Sequence, residues 1–272
     1  MKCQPAAAII NAEELAAVEV EYAHWLAIQT NIPGVEAHVE PDAVWLVHSG
    51  AVWGNCAIQL RFTPETVASR LKTILARYRG TRRGAGFWVS PLATPADLPE
   101  RLRQHGFRCR KYFPAMYCDL GHLPKKKLRV EGITVETVDD HHIFTQHAHP
   151  YFGPITTSLR RFELKRLATL SALHPKKIWD FVAMHDGIPV GACTLFINHH
   201  LAGFHDVGVL KTYRRRGIGS ALMKHACQFS RTQGCIGAVL ISSGEGYGMY
   251  RRVGFREVGR IGYWYRQFHS NE

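Results

Sequence analysis

Several kinds of protein are excluded by what this sequence lacks. Its 272 residues contain no apolar run long enough to cross a membrane as a helix, so we expect no membrane partner. The seven cysteines are an odd number and form no Cys-x-x-Cys pair, which speaks against a disulfide framework and against a zinc site. We therefore expect buried free thiols in a reducing compartment, and no bound metal.

The sequence also predicts no secretory signal. The first residues contain only one short apolar patch, Ala6–Ile10, and Glu13 and Glu14 follow it at once. This patch is too short and too acidic for a signal peptide, so the sequence predicts a cytoplasmic protein. Neither a known nucleic-acid-binding motif nor the nucleophile elbow of a serine hydrolase is present.

Positive charge is abundant, with a formal net charge of +12 at pH 7. A nucleic acid, an acidic surface and a polyphosphate cofactor are all suitable partners for such a charge. The basic residues are spread along the chain and accompany no nucleic-acid motif. We therefore interpret them as a generally basic surface and expect no nucleic-acid partner.

Strand and helix patterns alternate in both halves of the chain. Asn11 is a candidate N-cap for a helix over 12–30, and Asp186-Gly187 lies between two apolar runs as a hairpin turn would. The run Gly237–Ile241 is apolar throughout, which is typical of a strand buried on both faces. A polar, basic stretch at 121–131 predicts a linker between two domains, 1–124 and 125–272.

The most informative stretch is Arg214-Arg215-Arg216-Gly217-Ile218-Gly219-Ser220, which lies between a strand pattern and a helix pattern over 217–233. In such a turn, backbone N–H groups and the free N–H groups of the helix start converge, and the helix dipole adds positive potential. Gly217 and Gly219 have no side chain, so a pyrophosphate can lie against the backbone. The arginines supply charge around it. The turn therefore predicts a phosphorylated cofactor.

A second motif, Tyr250-Arg251-Arg252-Val253-Gly254-Phe255, follows after one further strand pattern. Together the two motifs resemble those of the GCN5-related N-acetyltransferase (GNAT) family, Arg/Gln-x-x-Gly-x-Gly/Ala and Tyr-x-x-x-Gly-Phe. The resemblance extends from residue 133 to the end of the printed sequence. It implies an α/β (α+β) fold, the GNAT fold, with a mixed, mostly antiparallel sheet flanked by helices.

The first half repeats the order of strand and helix patterns of the second half but has no Arg-x-x-Gly-x-Gly turn. Gly106-Phe107 corresponds in this order to Gly254-Phe255, which indicates duplication of one fold. We therefore expect residues 1–124 to form a degenerate GNAT-like domain without a cofactor loop, and residues 125–272 to form a catalytic N-acetyltransferase domain.

The resemblance also implies roles for single residues, with acetyl-CoA as the acyl donor. Backbone groups of Val207 and Val209 would pair with the pantetheine arm, and Tyr250 would protonate the departing thiolate. At the end of the next strand Ser243 stands where relatives often have an asparagine that contacts the cofactor. The full set of expected cofactor-binding residues is Val207, Gly208, Val209, Arg214, Arg215, Arg216, Gly217, Ile218, Gly219, Ser220 and Ser243.

The group that deprotonates the acceptor amine is left open by the sequence. Counting by twos along the strand predicts that Gly203, His205, Val207 and Val209 share one face, while Asp206 points to the other face. His205 is then the candidate base, because its ordinary pKa suits proton transfer near neutral pH. Glu245 is a second candidate, and water alone is a third possibility.

These residues predict an enzyme that moves an acetyl group from acetyl-CoA directly to a primary amine of a small molecule. A protein or peptide N-acetyltransferase and a non-catalytic acyl-CoA sensor stay open as alternatives. Fold analogy cannot name the acceptor, and the sequence does not give the oligomeric state.

We interpret the histidines at 141, 142, 147 and 149 as part of an exposed helix and loop, and expect Tyr151 and Phe152 to line the acceptor pocket.

Overall fold

The structure is a computed structural model of the chain. It describes residues 10–48, 55–81, 83–123, 130–138, 164–166, 168–173 and 175–268. The chain forms two compact units: Met1–Ala115 with Glu257–Glu272 make up the first, and Met116–Arg256 make up the second.

The first unit contains three helices and a mixed sheet. Its helices are α1 (Ala12–Ala27), α2 (Val67–Gly80) and α3 (Leu98–Gln104). Its strands are β1 (Val35–Glu40), β2 (Ala43–His48), β3 (Asn55–Ile58), β4 (Ala85–Val89) and the greater part of β5 (Arg108–Asp119). Strands β1, β2 and β3 pair antiparallel in that order, and β3 pairs parallel with β4.

The second unit also has antiparallel pairings followed by one parallel pairing, with one more antiparallel strand than the first. Its strands are β6 (Ile133–Val138), β7 (Ile178–His185), β8 (Ile188–Asn198), β9 (Leu201–Val209) and β10 (Gly237–Ile241). Strands β6 to β9 pair antiparallel in order, and β9 pairs parallel with β10. The helices are α4 (Ile218–Thr232) and α5 (Tyr247–Val253), and residues 164–166 and 168–171 are also helical.

The last strand of the chain, β11 (Arg256–Arg266), lies with the first unit. It pairs antiparallel with β4, from Gly262 opposite Val89 to Arg266 opposite Ala85. The strand order of each unit thus confirms the predicted mixed, mostly antiparallel sheet flanked by helices. The assignment of a degenerate domain to residues 1–124 and a catalytic domain to 125–272 stays a prediction.

Local sequence signals correctly mark several boundaries. The side chain of Asn11 accepts a hydrogen bond from the backbone N–H of Glu14 at 3.0 Å, as an N-cap does. Asp186 and Gly187 both have left-handed backbones, with φ of 49° and 78°, and join β7 to β8 as the predicted two-residue hairpin turn. The buried strand predicted at Gly237–Ile241 has those bounds.

Five cysteines of the described chain are free and buried, as predicted: Cys56, Cys118, Cys193, Cys227 and Cys235. Burial raises the pKa of Cys56 to about 12, so this thiol stays protonated and is a poor nucleophile. Cys109 is disulfide-bonded, so the expectation of free thiols is wrong for this residue.

Each unit has its own hydrophobic core. In the first, Trp45, Tyr78, Phe87 and Phe107 form a chain of edge-to-face ring contacts with centroids 5.1–6.1 Å apart. In the second, α4 covers the sheet, and the ring of Phe181 on β7 lies 5.3 Å from that of Phe229 on α4. These contacts hold α4 against the sheet.

Replacing Phe181 by alanine should destabilise the second unit. Phe181 is fully buried, so its truncation removes apolar contacts and leaves a cavity, at a cost of about 3–5 kcal/mol in the free energy of unfolding. Urea denaturation measures this change. Ile236→Ala is the matched control, because Ile236 is 69% exposed and its truncation should change stability by less than about 0.5 kcal/mol. Equal effects of the two substitutions would contradict the core assignment.

Candidate active site

Strands β9 and β10 separate soon after they begin. They pair over three residues only, from Leu201 opposite Gly237 to Gly203 opposite Val239, within the described part of the chain. Both strands continue beyond these pairs, β9 to Val209 and β10 to Ile241. The backbone edge of β9 that faces β10 is therefore open from Phe204 onwards, and an extended ligand can pair with it as a strand would.

An irregularity interrupts β9 just beyond the point of separation. Between the pairs Thr194–His205 and Ala192–Gly208, a single residue of β8 stands opposite two residues of β9. Asp206 is one of these two, and its backbone is left-handed with φ of 51°. This arrangement is a β-bulge, which bends the strand and shifts the alternation of its side chains by one residue.

The bulge makes the predicted face assignment of β9 wrong. The set predicted to share one face is Gly203, His205, Val207 and Val209. Val207 and Val209 instead pack against the hydrophobic core that lies under α4 and α5. His205 pairs with Thr194 across the strand and lies on the opposite face. Counting by twos along β9 gave the wrong faces because the extra residue of the bulge reverses the side-chain alternation beyond it.

The arginine-rich turn leads from β9 into the N-terminus of α4. Gly217 is the N-cap residue and has a left-handed backbone with φ of 83°, and Arg215 is left-handed as well, with φ of 66°. The carbonyl of Gly217 accepts the first helical hydrogen bond, from the N–H of Ala221 at 3.0 Å. The N–H groups of 218–220 therefore precede the helical ladder and are directed out of the helix end.

The three arginines of this turn are exposed to solvent. Arg214 is held in place, because its Nε donates to the carbonyl of Val209 at 3.0 Å and its Nη1 donates to Oε2 of Glu245 at 3.1 Å. The guanidinium of Arg216 lies over the ring of Tyr213, 5.3 Å from its centroid. The turn is thus anchored to the end of β9 and to the loop after β10 while it keeps its positive charge at the surface.

Gly219 lies where α4, β9 and α5 meet. A side-chain Cβ at this position would lie 3.4 Å from Cγ2 of Val209 and 3.8 Å from Met249, which are ordinary contact distances. Nearby, Oγ of Ser243 accepts a hydrogen bond from the N–H of Gly246 at 3.2 Å. The Ser243 hydroxyl therefore contributes to the turn that begins α5.

Tyr250 on α5 is 7% exposed, and its ring lies edge-on to that of Phe255 with centroids 5.9 Å apart. Phe255 in turn contacts Phe204 of β9, with centroids 6.2 Å apart. Burial, with a smaller contribution from Cys193, raises the pKa of the Tyr250 phenol above its ordinary value. Tyr250 therefore keeps its proton at neutral pH and lies on the core side of β9, whereas His205 lies on the other side.

A buried polar group occupies the His205 side of the sheet. Asp180, Thr194 and His205 are in register on β7, β8 and β9, so their side chains share one face. Oγ1 of Thr194 donates to Oδ1 of Asp180 at 2.7 Å. Burial raises the pKa of Asp180 to about 7, against the opposing effects of the Thr194 hydrogen bond and the charge of Arg166.

Arg166 joins this group to the bulge. It lies on the helical residues 164–166 and donates from Nη2 to Oδ2 of Asp206 at 3.2 Å. No role was predicted from the sequence for Arg166 or Asp180. A usable signal was the carboxylate inside the apolar run of β7, because a charged residue in a buried strand requires a partner.

The first unit closes the corresponding gap with its own chain. After β3 and β4 pair in parallel, Arg61 forms a parallel bridge with Thr94. The N–H of Thr94 donates to the carbonyl of Leu60 at 3.0 Å, and its Oγ1 donates to the carbonyl of Phe62 at 2.9 Å. Thr94 thus occupies, within the first unit, the strand edge whose counterpart in the second unit is open.

The turn that leads into α2 is closed by reciprocal hydrogen bonds between two threonines. The N–H of Thr63 donates to Oγ1 of Thr66, and the N–H of Thr66 donates to Oγ1 of Thr63, at 3.0 and 3.2 Å. Thr63 and Thr66 thus satisfy each other's N–H groups just before α2 begins. Neither α2 nor α4 has a side-chain cap, and α4 begins at a glycine that has no side-chain oxygen.

Some predictions fall on residues whose structure is not described. The four histidines at 141, 142, 147 and 149, together with Tyr151 and Phe152, lie outside the described residues. Within the described ranges, no three His, Cys, Asp or Glu side chains are grouped so that they could hold a metal ion. The helices of those ranges are also too short or too polar to span a membrane.

Comparison with known proteins gives the context of this geometry. Residues 144–255 match the family model described as the acetyltransferase (GNAT) family. Over 51 residues, 19% of the chain, the sequence is 41% identical to glucosamine 6-phosphate N-acetyltransferase of Trypanosoma brucei brucei. That match spans 35% of the trypanosomal enzyme, about a third of its length.

Two solved structures resemble most of the chain. A GCN5-related N-acetyltransferase from Kribbella flavida has a TM-score of 0.68 at 20% identity, over 91% of this chain and 95% of that chain. A tandem GNAT protein from the clavulanic acid biosynthesis pathway has a TM-score of 0.57 at 11% identity, over 96% of this chain and 97% of that chain. At these identities the likeness concerns the fold, and it confirms the predicted GNAT fold.

Replacing Asp180 by asparagine should change how stability depends on pH. The folded-state pKa of Asp180 is about 7, above its ordinary value of 3.8, so the folded protein holds this proton more tightly than the unfolded chain does. In the wild type, the resulting contribution to stability is therefore present below pH 4 and is lost as pH rises to about 7. Asparagine does not ionise, and its oxygen can still accept the Thr194 hydroxyl.

The difference in unfolding free energy between Asp180→Asn and wild type should therefore shift in favour of the variant from pH 4 to 7 and level off above pH 7. Urea unfolding at several pH values measures this difference. A constant difference across the range would contradict the elevated pKa. Glu131→Gln, which replaces an exposed carboxylate of the same unit, is the matched control and should leave the pH dependence unchanged.

Proposed function

Residues 144–255 match the model of the acetyltransferase (GNAT) family, and we propose that the second unit moves an acetyl group from acetyl-CoA directly to a primary amine of a small molecule. One observation carries the proposal above all others. The open edge of β9 ends beside the N-terminus of α4, so a strand-like ligand with a pyrophosphate at one end has both of its parts accommodated.

The chain offers two kinds of group to the donor. Beyond Gly203 the edge of β9 is not paired with β10, so backbone groups of Val207 and Val209, with Gly208 between them, would pair with the amides of the pantetheine arm. The pyrophosphate would rest on the arginine-rich turn and the start of α4. The residues proposed for this second contact are Arg214, Arg215, Arg216, Gly217, Ile218, Gly219 and Ser220, while Ser243 orders the adjoining turn through its bond to Gly246.

Tyr250 is the candidate proton donor. Its phenol is protonated at neutral pH, so a proton is at hand for the thiolate that leaves when the thioester is cleaved. Tyr250 is linked to β9 through Phe255 and Phe204, which brings it to the core side of the gap. We assign it the role of proton donor to the sulfur.

The acceptor amine has to lose a proton before it attacks the thioester. His205 lies on the opposite face of β9 from Tyr250, so the two residues would serve opposite sides of a thioester held in the gap. Glu245 already accepts from Arg214, and its side chain is 85% exposed. We therefore propose His205 as the base, acting directly or through water, and assign Glu245 to the positioning of Arg214.

The acceptor is proposed to be a small amine. The basic surplus of the chain suits an anionic donor and also an anionic acceptor. The match to a glucosamine 6-phosphate N-acetyltransferase, although it spans 51 residues only, makes phosphorylated amino sugars the first acceptors to assay.

Free-thiol release from acetyl-CoA, measured across a panel of amines that includes glucosamine 6-phosphate, tests the reaction. Coenzyme A binding, measured by calorimetry, tests the donor site separately. Gly219→Asp should weaken coenzyme A binding at least about 100-fold, because it places a negative charge at the helix N-terminus where the pyrophosphate would lie. Gly219→Asn is the control of equal shape without the charge, and it should lose less affinity than Gly219→Asp.

Two outcomes would count against this assignment. Normal coenzyme A binding by Gly219→Asp would show that the diphosphate does not contact this turn. Tight coenzyme A binding by the wild type, with no thiol release for any amine, would instead favour a non-catalytic acyl-CoA sensor.

Tyr250→Phe should lower kcat by about 10- to 1,000-fold and leave coenzyme A affinity within about threefold of wild type, because only the proton donor is removed. The remaining ring keeps its contact with Phe255. Steady-state kinetics with the best amine of the panel provides the measurement. Tyr247→Phe, one turn earlier on α5, is the control hydroxyl. An unchanged kcat in Tyr250→Phe would remove Tyr250 from the mechanism.

A further inference from the structure

Three ionisable side chains are buried together beside the bulge of β9. The side chains of Arg166 and Asp206 are only 6% and 13% exposed, and Asp180 as a residue is 3% exposed. Arg166 donates to Asp206 at 3.2 Å, and its charge also acts on Asp180. Buried charges cost free energy unless they are paired, so this arrangement has to be held in a fixed geometry.

Asp206 also has an unfavourable backbone conformation. Its φ of 51° lies in the left-handed region, which residues with a Cβ adopt at a cost, although aspartate and asparagine tolerate it better than most. Such conformations persist where surrounding contacts hold them. The contact that anchors the Asp206 side chain is the ion pair with Arg166, which comes from a segment 40 residues earlier in the chain.

The bulge decides how the rest of β9 is presented. Immediately after Asp206, Val207 and Val209 turn toward the core, and the backbone edge beside them is the open edge that β10 leaves. Without the extra residue of the bulge, the side-chain alternation of Val207 to Val209 would reverse and their backbone groups would be directed differently.

We propose that Arg166 is a positioning residue that holds the Asp206 bulge through its buried ion pair and so orients the backbone of Val207 to Val209 for the acyl donor. This inference rests on the proposed function, because it concerns the same donor site. Arg166 touches neither reactant in this account. It acts through Asp206, and its charge also interacts with Asp180, which accepts a hydrogen bond from Thr194.

The test measures coenzyme A affinity by calorimetry on folded, monodisperse protein. Arg166→Met and Asp206→Asn should each weaken binding about tenfold, because each removes one partner of a buried charge-assisted pair. The double variant should be weakened about tenfold as well and not about 100-fold, because both substitutions break one and the same interaction. Arg231→Met, an exposed arginine in the last turn of α4, should bind as the wild type does.

The outcomes separate a positioning role from a merely structural one. A loss of fold stability alone lowers the active fraction and leaves the affinity of the folded fraction unchanged, so wild-type affinity in the single variants overturns the inference. Affinity losses that multiply in the double variant overturn it too. If the single variants do not fold, the double variant, which removes both charges together, is measured alone. Wild-type affinity in the double variant then overturns the inference, and a loss of about tenfold supports it. Absence of coenzyme A binding by the wild type would instead reject the proposed function itself, since no substitution is then involved.

Discussion

Two parallel strands that pair over only three residues leave backbone N–H and C=O groups that need another hydrogen-bonding partner. In the second unit this applies to β9, whose edge is open beyond Gly203, and the same opening adjoins the free N–H groups at the start of α4. Backbone groups of this kind are strong donors and acceptors, and leaving them unpaired away from water is costly. The bulge at Asp206, the bond from Arg214 to the end of β9 and the core position of Tyr250 all lie along this part of β9.

The first unit solves the same problem by internal means. Its strands β3 and β4 also pair in parallel and then part, but Thr94 bonds to the carbonyls of Leu60 and Phe62 and so takes up the open edge. Thr63 and Thr66 satisfy each other's N–H groups near the start of α2. The parallel strand pairing is alike in the two units. They differ in whether residues of the same unit hydrogen-bond to the backbone groups beyond the paired residues.

The two faces of β9 carry different chemistry. The core face bears Val207, Val209 and the aromatic contacts that lead to Tyr250, whose proton is retained because burial disfavours the phenolate. The other face bears His205 and the buried charges of Asp180, Asp206 and Arg166. On the proposed function, a thioester held between β9 and β10 would be exposed to a proton donor on one side and to an acceptor amine with its base on the other. Such a separation suits direct transfer, in which the amine and the leaving sulfur lie on different sides of the reacting carbon.

Much of the fold follows from short stretches of sequence. The cap at Asn11, the turn at Asp186-Gly187 and the buried strand Gly237–Ile241 were all predictable, because each depends on the conformational preferences of a few adjacent residues. The same holds for the turn at 214–220, where glycines and arginines directly precede a helix. Its role in binding the donor stays a prediction, as do the roles of Tyr250 and His205.

Tertiary structure alone decided the rest. The alternation of β9 could not be counted from the sequence, because the bulge at Asp206 depends on the register with β8. The pairing of Arg166 with Asp206, of Thr194 with Asp180, and of β11 with β4 joins residues that are far apart in the chain. Local preferences carry no information about which distant groups will meet, since that is set by how the sheets and helices of each unit pack. The sequence by itself determined the elements and the arginine-rich turn, and the packed fold determined which face each side chain of β9 presents and which charges hold it there.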